Sequence, residues 1–580
     1  MATTTTTTTT NNRSQVKSIK LAAMDCANDT DSGSCSCSFL EASISSDLAL
    51  KIIQYLNVVD SGRLASVSRR YYYLVRQYRR LRGPEIATAS LGFEAIVKLG
   101  RDHKHLTASM VHDCKQKIQA KPNLVLHFCK DDISEVLAKN LSFGNETIGL
   151  GAVTYNAIQV YQPAPRRMSD KDYASLMAMN FPGAIVLPFS IQGAPGAPDF
   201  AFLEKRLKYH NKNSDDKFWK ALILYATDHI PTPMQKLVSR IQALVPNAVL
   251  VGGLCDEGHV SVPKFSKEEL GSMSVKHLRY VLKKHVAQKA QASQRPSIVE
   301  KSGLVDHVFD ALKKSETCNN NNISYETMGS KSFFGVFLGG DVPVRSVVSR
   351  GVCSVLNSNG PPRPFSDLVV EESDLTGPFG NSGSLVHSIR KVKDKATGAV
   401  YAPMEVIHKY LSSRSDQAQF LGLKRRGCDG FLLSTEFILE TNIFYLVATN
   451  GVWDESLEGA ELDFYSLDGK ASMEDMDRTM LKLKEQTEGE EVIGALMYTC
   501  SGRGPAPGAL IPERMSDVTR FANVFQDVPC LGFYANGEFG PVALAGNENI
   551  FQIGRSMHQA VSSKVKMRHF LFSFQNHKII

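Results

Sequence analysis

Residues 221–253 read ALILYATDHIPTPMQKLVSRIQALVPNAVLVGG, a strand, a helix and a second strand in sequence. Residues 221–225 are an apolar run, as expected of a buried strand. Thr232 and Pro233 open the helix, because proline in a first turn lacks only an N–H that would have no helical partner anyway. Leu237, Ile241 and Leu244 then recur on one face. Residues 248–253 return to an apolar run that ends in glycines.

Working outward, the same order occurs twice more. Upstream, residues 123–128 form a strand and Asp132 is expected to cap a helix with Ile133, Val136, Leu137 and Leu141 on one face. Residues 147–153 close that unit. Downstream, the corresponding segments are the strand 493–499, the helix 517–525 and the strand 529–534. Residues 184–189, followed by the Gly/Pro loop 193–198, and residues 333–340 add strands in corresponding positions. The repetition is weak residue by residue and consistent in order. It predicts duplicated, mixed α/β sheet layers covered by helices, in an α+β chain of several domains.

Nearer the N-terminus, residues 44–81 have a different character. Leu48, Ile52 and Leu56 form one helical stripe, with Ser45, Ser46 and Asp47 as capping oxygens. Asp60 can cap a second short helix carrying Leu64, and Ser68 a third presenting Tyr71 or Tyr72, Leu74 and Val75. Helices this short cannot bury their apolar faces alone, so the unit reads as a docking piece. The order Ile44, Asp47, Leu48, Ile52, Leu56, Leu64, Val67, Tyr72 resembles an F-box. It departs in having Ser45 where a proline is usual and Tyr72 where tryptophan is common. The resemblance implies that Leu48, Ile52, Leu56, Leu64, Val67 and Tyr72 face a Skp-type adaptor and, through it, a cullin-based ubiquitin ligase.

Composition narrows the setting. The chain has 580 residues, 43% of them hydrophobic, enough for several packed domains. A formal charge of +7 is mild for this length, so the whole chain does not read as a nucleic-acid binder. Eleven cysteines without C-x-x-C spacing predict reduced thiols in cytoplasm or nucleus. No apolar run is long enough to span a bilayer, and no metal signature or cofactor motif is present. The threonine-rich start matches both a plastid transit peptide and a disordered polar tail in composition. A tail over 1–43 fits the F-box resemblance better.

Residues 264–314 carry eleven lysines and arginines against five acids. Ser274 starts one helix with Val275, Leu278 and Leu282. Ser297 and Glu300 form a capping box for a second, with Leu304, Val308 and Leu312 on its apolar face. The order resembles SAP-like modules, some of which bind DNA. A plain inserted helical hairpin with a solvated basic face is the expectation, which predicts that the segment is dispensable to the body. Pro361, Pro362 and Pro364 mark a boundary between halves, placed at 121–356 and 367–560.

The best candidate site lies in the last unit. Thr499, Cys500, Arg503 and Gly504 follow a buried strand and turn on glycines, whose N–H groups can converge on an anion or a carbonyl. Arg503 adds a planar fork for carboxylate or phosphate. Asn536 and Gly537 suit a tight turn that presents Glu538. These two stretches, Cys500-Ser-Gly-Arg503-Gly and Gly537-Glu538-Phe-Gly540-Pro541, resemble the C-terminal signature of FIST domains, and residues 347–351 with the preceding repeats resemble its N-terminal half. The resemblance covers most of 122–559 outside the basic segment. It implies a small-ligand sensory module, with amino acids as ligands. An F-box followed by FIST halves is similar to the F-box only protein 22 family of ubiquitin-ligase receptors. Arg503 and Glu538 read equally as an ion pair bracing two turns, and Cys500 as a small buried hydrophobe. A cysteine nucleophile would require a base, for which only His387 or His408 offers itself. Gly252, Gly253 and residues 380–383 lack the lysine of a phosphate-binding loop. The expectation is therefore a non-enzymatic substrate receptor, or alternatively a ligand sensor.

Overall fold

The structure, a computed structural model, describes Leu74, residues 568–576 and most of residues 84–553. Leu48, Ile52, Leu56, Leu64, Val67 and Tyr72 lie outside the described residues. In chain order, β1 (Glu85–Gly92) and α1 (His103–Lys117) precede β2 (Leu124–Cys129), α2 (Asp131–Asn140) and β3 (Ile148–Val153). β4 (Ala157–Ile158), β5 (Asp172–Asn180), β6 (Ile185–Gln192), α3 (Pro198–Asn211), β7 (Trp219–Ala226), β8 (Val249–Leu254) and β9 (Glu257–Ser261) follow. Then come α4 (Lys267–Ser272), α5 (Val275–Val281), a π-helical turn (Leu282–Val286), α6 (Lys301–Thr317), β10 (Tyr325–Met328), β11 (Ser332–Gly339), β12 (Val344–Arg350) and β13 (Val352–Ser354). α2 starts after Lys130, which makes no side-chain cap, so Asp132 lies within the first turn and is not the cap expected of it.

Residues 352–354 and 368–467 form a nine-stranded antiparallel sheet that the repeat pattern gave no sign of. Its strands are β14 (Leu368–Thr376), β15 (Val386–Asp394), β16 (Val400–Tyr401), β17 (Phe420–Lys424), β18 (Leu432–Ser434), β19 (Phe437–Glu440), β20 (Ile443–Val447) and β21 (Glu461–Leu467), with β13 joining at β21. α7 (Pro403–Val406) and a π-helical turn (Ile407–Leu411) pack Val406 and Leu411 into its core with Phe444 and Phe464. After it come α8 (Gly469–Gln486), β22 (Glu491–Cys500), α9 (Ser516–Val524), β23 (Cys530–Ala535), β24 (Glu538–Leu544), β25 (Asn547–Ile553) and β26 (Arg568–Asn576).

Each strand–helix–strand unit is a parallel pair. β2 pairs with β3, β7 with β8 and β22 with β23. Each first strand has an antiparallel neighbour on its other side: β5, β11 and β26 respectively. The strand after each unit leaves for another sheet. β4 pairs with β23, β9 with β3 and β24 with β8. Three sheets therefore exchange strands in a closed cycle. The expected boundary near 357–366 does not separate them, because β12 pairs with β26 and β8 with β24.

The inner faces of the three sheets share one core. Leu126 and Phe128, Ile223 and Tyr225, Leu496 and Tyr498 all point into it. Phe128 and Tyr498 each lie 5.9 Å from Tyr225, ring centre to ring centre. The Tyr225 and Tyr498 hydroxyls, both buried, hydrogen-bond each other at 2.8 Å, which satisfies two polar groups cut off from water. The alternate residues face helices: Val125 and Cys129 meet α1 and α2, and Ala495 and Met497 meet α8 and α9. Burial on both faces is why these strands read as unbroken apolar runs. Gly532 lets β23 sit against β22, since a Cβ there would stand 1.6 Å from the Met497 carbonyl oxygen.

The basic segment corrects its expectation. Ser274 does cap α5. Leu270, Leu278, Val281, Leu304 and Val308 nevertheless build a core together with Phe202 of α3 and Phe265. Arg206 of α3 donates to Glu269 of α4 at 2.6 Å, both side chains nearly sealed from solvent, and to the Lys264 carbonyl at 2.8 Å. The segment is clamped to the body rather than hung from it as a free hairpin. No helix among the described residues is long and apolar enough to cross a membrane.

Candidate functional site

β22 ends at Cys500, whose backbone pairs opposite Ala535 of β23. Thr499 alternates onto the helix-covered side, and its hydroxyl reaches Asp517 in the first turn of α9 at 3.4 Å. Arg503 lies on that side too. Its Nη2 donates to Asp517 Oδ1 at 2.7 Å and to the Ser472 carbonyl of α8 at 3.2 Å, and its Nε reaches Asp517 Oδ2 at 3.4 Å. Both side chains of the pair are fully buried. Arg503 thus ties the end of β22 to the starts of α8 and α9, with its fork engaged by a carboxylate.

Burial pushes the Asp517 carboxyl up from its ordinary value, and Arg503 offsets part of that rise. Burial likewise raises Tyr534 beside it, with the Asp517 charge adding to the effect. The cluster is electrically balanced: one guanidinium, one carboxylate. It offers no spare positive charge to an anionic ligand. What it offers is Nη1 of Arg503, which is buried and makes no hydrogen bond. That is a donor suited to a neutral acceptor such as a carbonyl.

Glu538 comes from a different sheet. It is buried and opens β24 opposite Gly253 of β8, in the second sheet rather than the third. Its neighbour Phe539 enters the core between the second sheet and α3. The buried carboxylate that Arg503 engages is Asp517, which the sequence reading did not pair with it. Gly504, Asn536 and Gly537 lie outside the described residues, as does the side chain of Cys500. His387 and His408 belong to the nine-stranded sheet and its π-helical turn, not to the sheet that carries Cys500. Sequence reading took Asp517 only as a helix start. The missed signal was that an arginine after a buried strand demands a carboxylate, and the first turn of the next helix is the nearest place to supply one.

The family comparison bears on this same region. Residues 404–541 match the FIST C domain. That FIST C domain spans β17 to β23 with the first residues of β24, and so includes Thr499, Cys500, Arg503, Asp517 and Glu538. No curated protein matches the chain. Among solved structures, T. maritima PurL complexed with ATP is 12% identical over 85% of this chain and 72% of its own, with a TM-score of 0.16, too low to carry an argument. Among the described residues no cluster of histidine, cysteine or acidic side chains could hold a metal ion.

Proposed function

We propose that this chain is the substrate-recognition subunit of a cullin-based ubiquitin ligase. The F-box-like segment 44–81 docks on a Skp-type adaptor, and the α/β body built around the FIST C domain binds the protein to be modified. The observation that carries this is the conjunction of the F-box-like order Leu48, Ile52, Leu56, Leu64, Val67, Tyr72 with the FIST C match at 404–541. The chemistry is then the ligase's own, and the gain from this chain is proximity and orientation. We read the three strand–helix–strand units as copies of one ancestral piece, because all three share the same parallel pair, antiparallel neighbour and departing strand.

The test is co-purification of the full chain with a Skp adaptor. Leu48→Ala with Ile52→Ala removes two large apolar contacts from one helical face, each worth ~2–5 kcal/mol when buried. Adaptor binding should be lost while the circular dichroism of the chain is unchanged. Undiminished binding by the double variant refutes the assignment.

The FIST C domain supports a second reading, a sensor in which a small ligand governs substrate choice. The strand ends 499–504 and 536–538 are its place. With Arg503 already paired to Asp517, Arg503 serves as the brace of that site, and a ligand rich in neutral hydrogen-bond acceptors suits it better than a free anion. Thermal shift against amino acids and their amides separates the two, since binding raises the melting temperature by mass action.

A further inference from the structure

The helix-covered face of the first sheet holds two histidines that none of the preceding chemistry uses. His127 on β2 is fully buried, and His259 on β9 is 3% exposed. Their rings stack with centres 6.0 Å apart and planes 22° apart. Tyr325 of β10 stands edge-on to both, at 5.7 Å and 6.3 Å. Both ring nitrogens of His127, Nδ1 of His259 and the Tyr325 hydroxyl are buried without a hydrogen bond. Among the described residues the tether of these rings is His259 Nε2 to Ser134 Oγ of α2, at 2.5 Å. β3 makes room for the cluster with glycines: a Cβ on Gly151 would stand 2.0 Å from His127 Nε2, and one on Gly149 1.9 Å from the Tyr325 oxygen.

We propose that His127 and His259 form a proton-operated latch for α2: as neutral imidazoles they let the helix close on the first sheet, and protonation releases it. A neutral His259 can accept the Ser134 hydroxyl proton at Nε2. That tautomer carries its proton on Nδ1; a second proton makes Nε2 a donor as well, so the Ser134 hydroxyl must turn round to accept, and a full charge sits buried 6.0 Å from a second imidazole. The surroundings do little to relieve that charge. β3 contributes Gly149 and Gly151, and β5 contributes Leu176 opposite His127. β2 adds the buried Cys129, and β10 adds Tyr325, whose hydroxyl burial holds far from ionising. Glu135 of α2 favours protonated His259, but it is exposed and already bonded to Lys139. Accordingly burial lowers His127, helped by the charge of His259, and burial lowers His259 against the pull of Glu135.

The sign follows from linkage. A histidine depressed in the closed state binds its proton more readily when the helix is open. The closed state is therefore favoured above the ordinary value near 6.5 and loses ground as pH falls below it. A histidine that stays neutral when closed raises the open fraction about tenfold between pH ~7.5 and ~5.5, and two raise it about a hundredfold.

Amide hydrogen exchange of the full chain, corrected for intrinsic rates, tests this at pH ~7.5 and ~5.5, with α8 as the internal reference. The α2 amides should open ten- to a hundredfold more at the lower pH while α8 changes far less. In His259→Gln the acid response of α2 should shrink about tenfold. Equal changes in α2 and α8 overturn the latch, and this wild-type comparison decides even if the variant does not fold. An undiminished response in a folded His259→Gln overturns it as well.

Discussion

Replacing Asp517 by alanine should unfold this body more readily than almost any other single change in the FIST C domain. The carboxylate is fully buried and accepts from Nη2 and Nε of Arg503 and from the Thr499 hydroxyl. Its removal leaves a guanidinium with 0% side-chain exposure and, among the described residues, the Ser472 carbonyl as its remaining hydrogen-bond partner. Breaking a buried pair from one side costs about 3–5 kcal/mol, because the surviving charge is stranded away from water. Against a typical total of about 5–15 kcal/mol, that is a third or more of the stability. Urea denaturation followed by circular dichroism measures the loss. The partner experiment is Arg503→Met with Asp517→Leu, which removes both charges and should sit within ~2 kcal/mol of wild type. An Asp517→Ala variant within ~1 kcal/mol of wild type would show that the pair is not sealed, and would return Arg503 to candidacy as a ligand contact. For the same reason Arg503→Ala is a poor probe of ligand binding, since it takes the brace away together with any contact.

Two further outcomes follow from the packing. Tyr498→Phe should cost about 1–3 kcal/mol by stranding the Tyr225 hydroxyl, whereas Tyr225→Phe with Tyr498→Phe should be close to neutral; the comparison of single and double variants in urea reads the coupling directly. Deleting residues 264–314 should lower the melting temperature of the body or abolish its folding, because Glu269 leaves Arg206 of α3 buried and unpaired, and Glu269→Ala alone should cost about 3–5 kcal/mol. A deletion variant as stable as the full chain would restore the free-hairpin reading.

The parts of this fold that were legible were those set by local apolar patterning. The expected strands 123–128, 221–225 and 493–499 are found at Leu124–Cys129, Trp219–Ala226 and Glu491–Cys500, and a parallel return strand follows in all three units. Burial on both faces writes such strands as plain apolar runs, which survive without an alignment. The nine-stranded sheet was not legible. Six of its nine strands have five residues or fewer, and along the two nine-residue strands run charged pairs such as Arg390 with Asp374 and Lys391 with Glu372, so nothing marks them as a core. Strand exchange was hidden for another reason: β4 has two residues, and where β24 pairs is a long-range fact that no local pattern encodes. At the site, Arg503 was recognised and its partner was not, because charge balance inside a core depends on which helix end lies above the strand.

The strand cycle bears directly on how the FIST C domain can act. β23 belongs to the third sheet and β24 to the second, with only residues 536 and 537 between them. Displacing that connection moves the register of both sheets at once, since Phe539 is fixed opposite Gly252 and Cys500 opposite Ala535. Close-packed cores respond to such a push by switching between arrangements rather than by yielding smoothly. The cost of the switch is shared by Phe533, which packs on Phe128, Tyr225 and Tyr498 at ring distances of 5.2–5.6 Å, and so touches all three sheets. The 535–538 connection thus sits at the junction where the three sheets meet, one aromatic ring away from the cores of the N-terminal units.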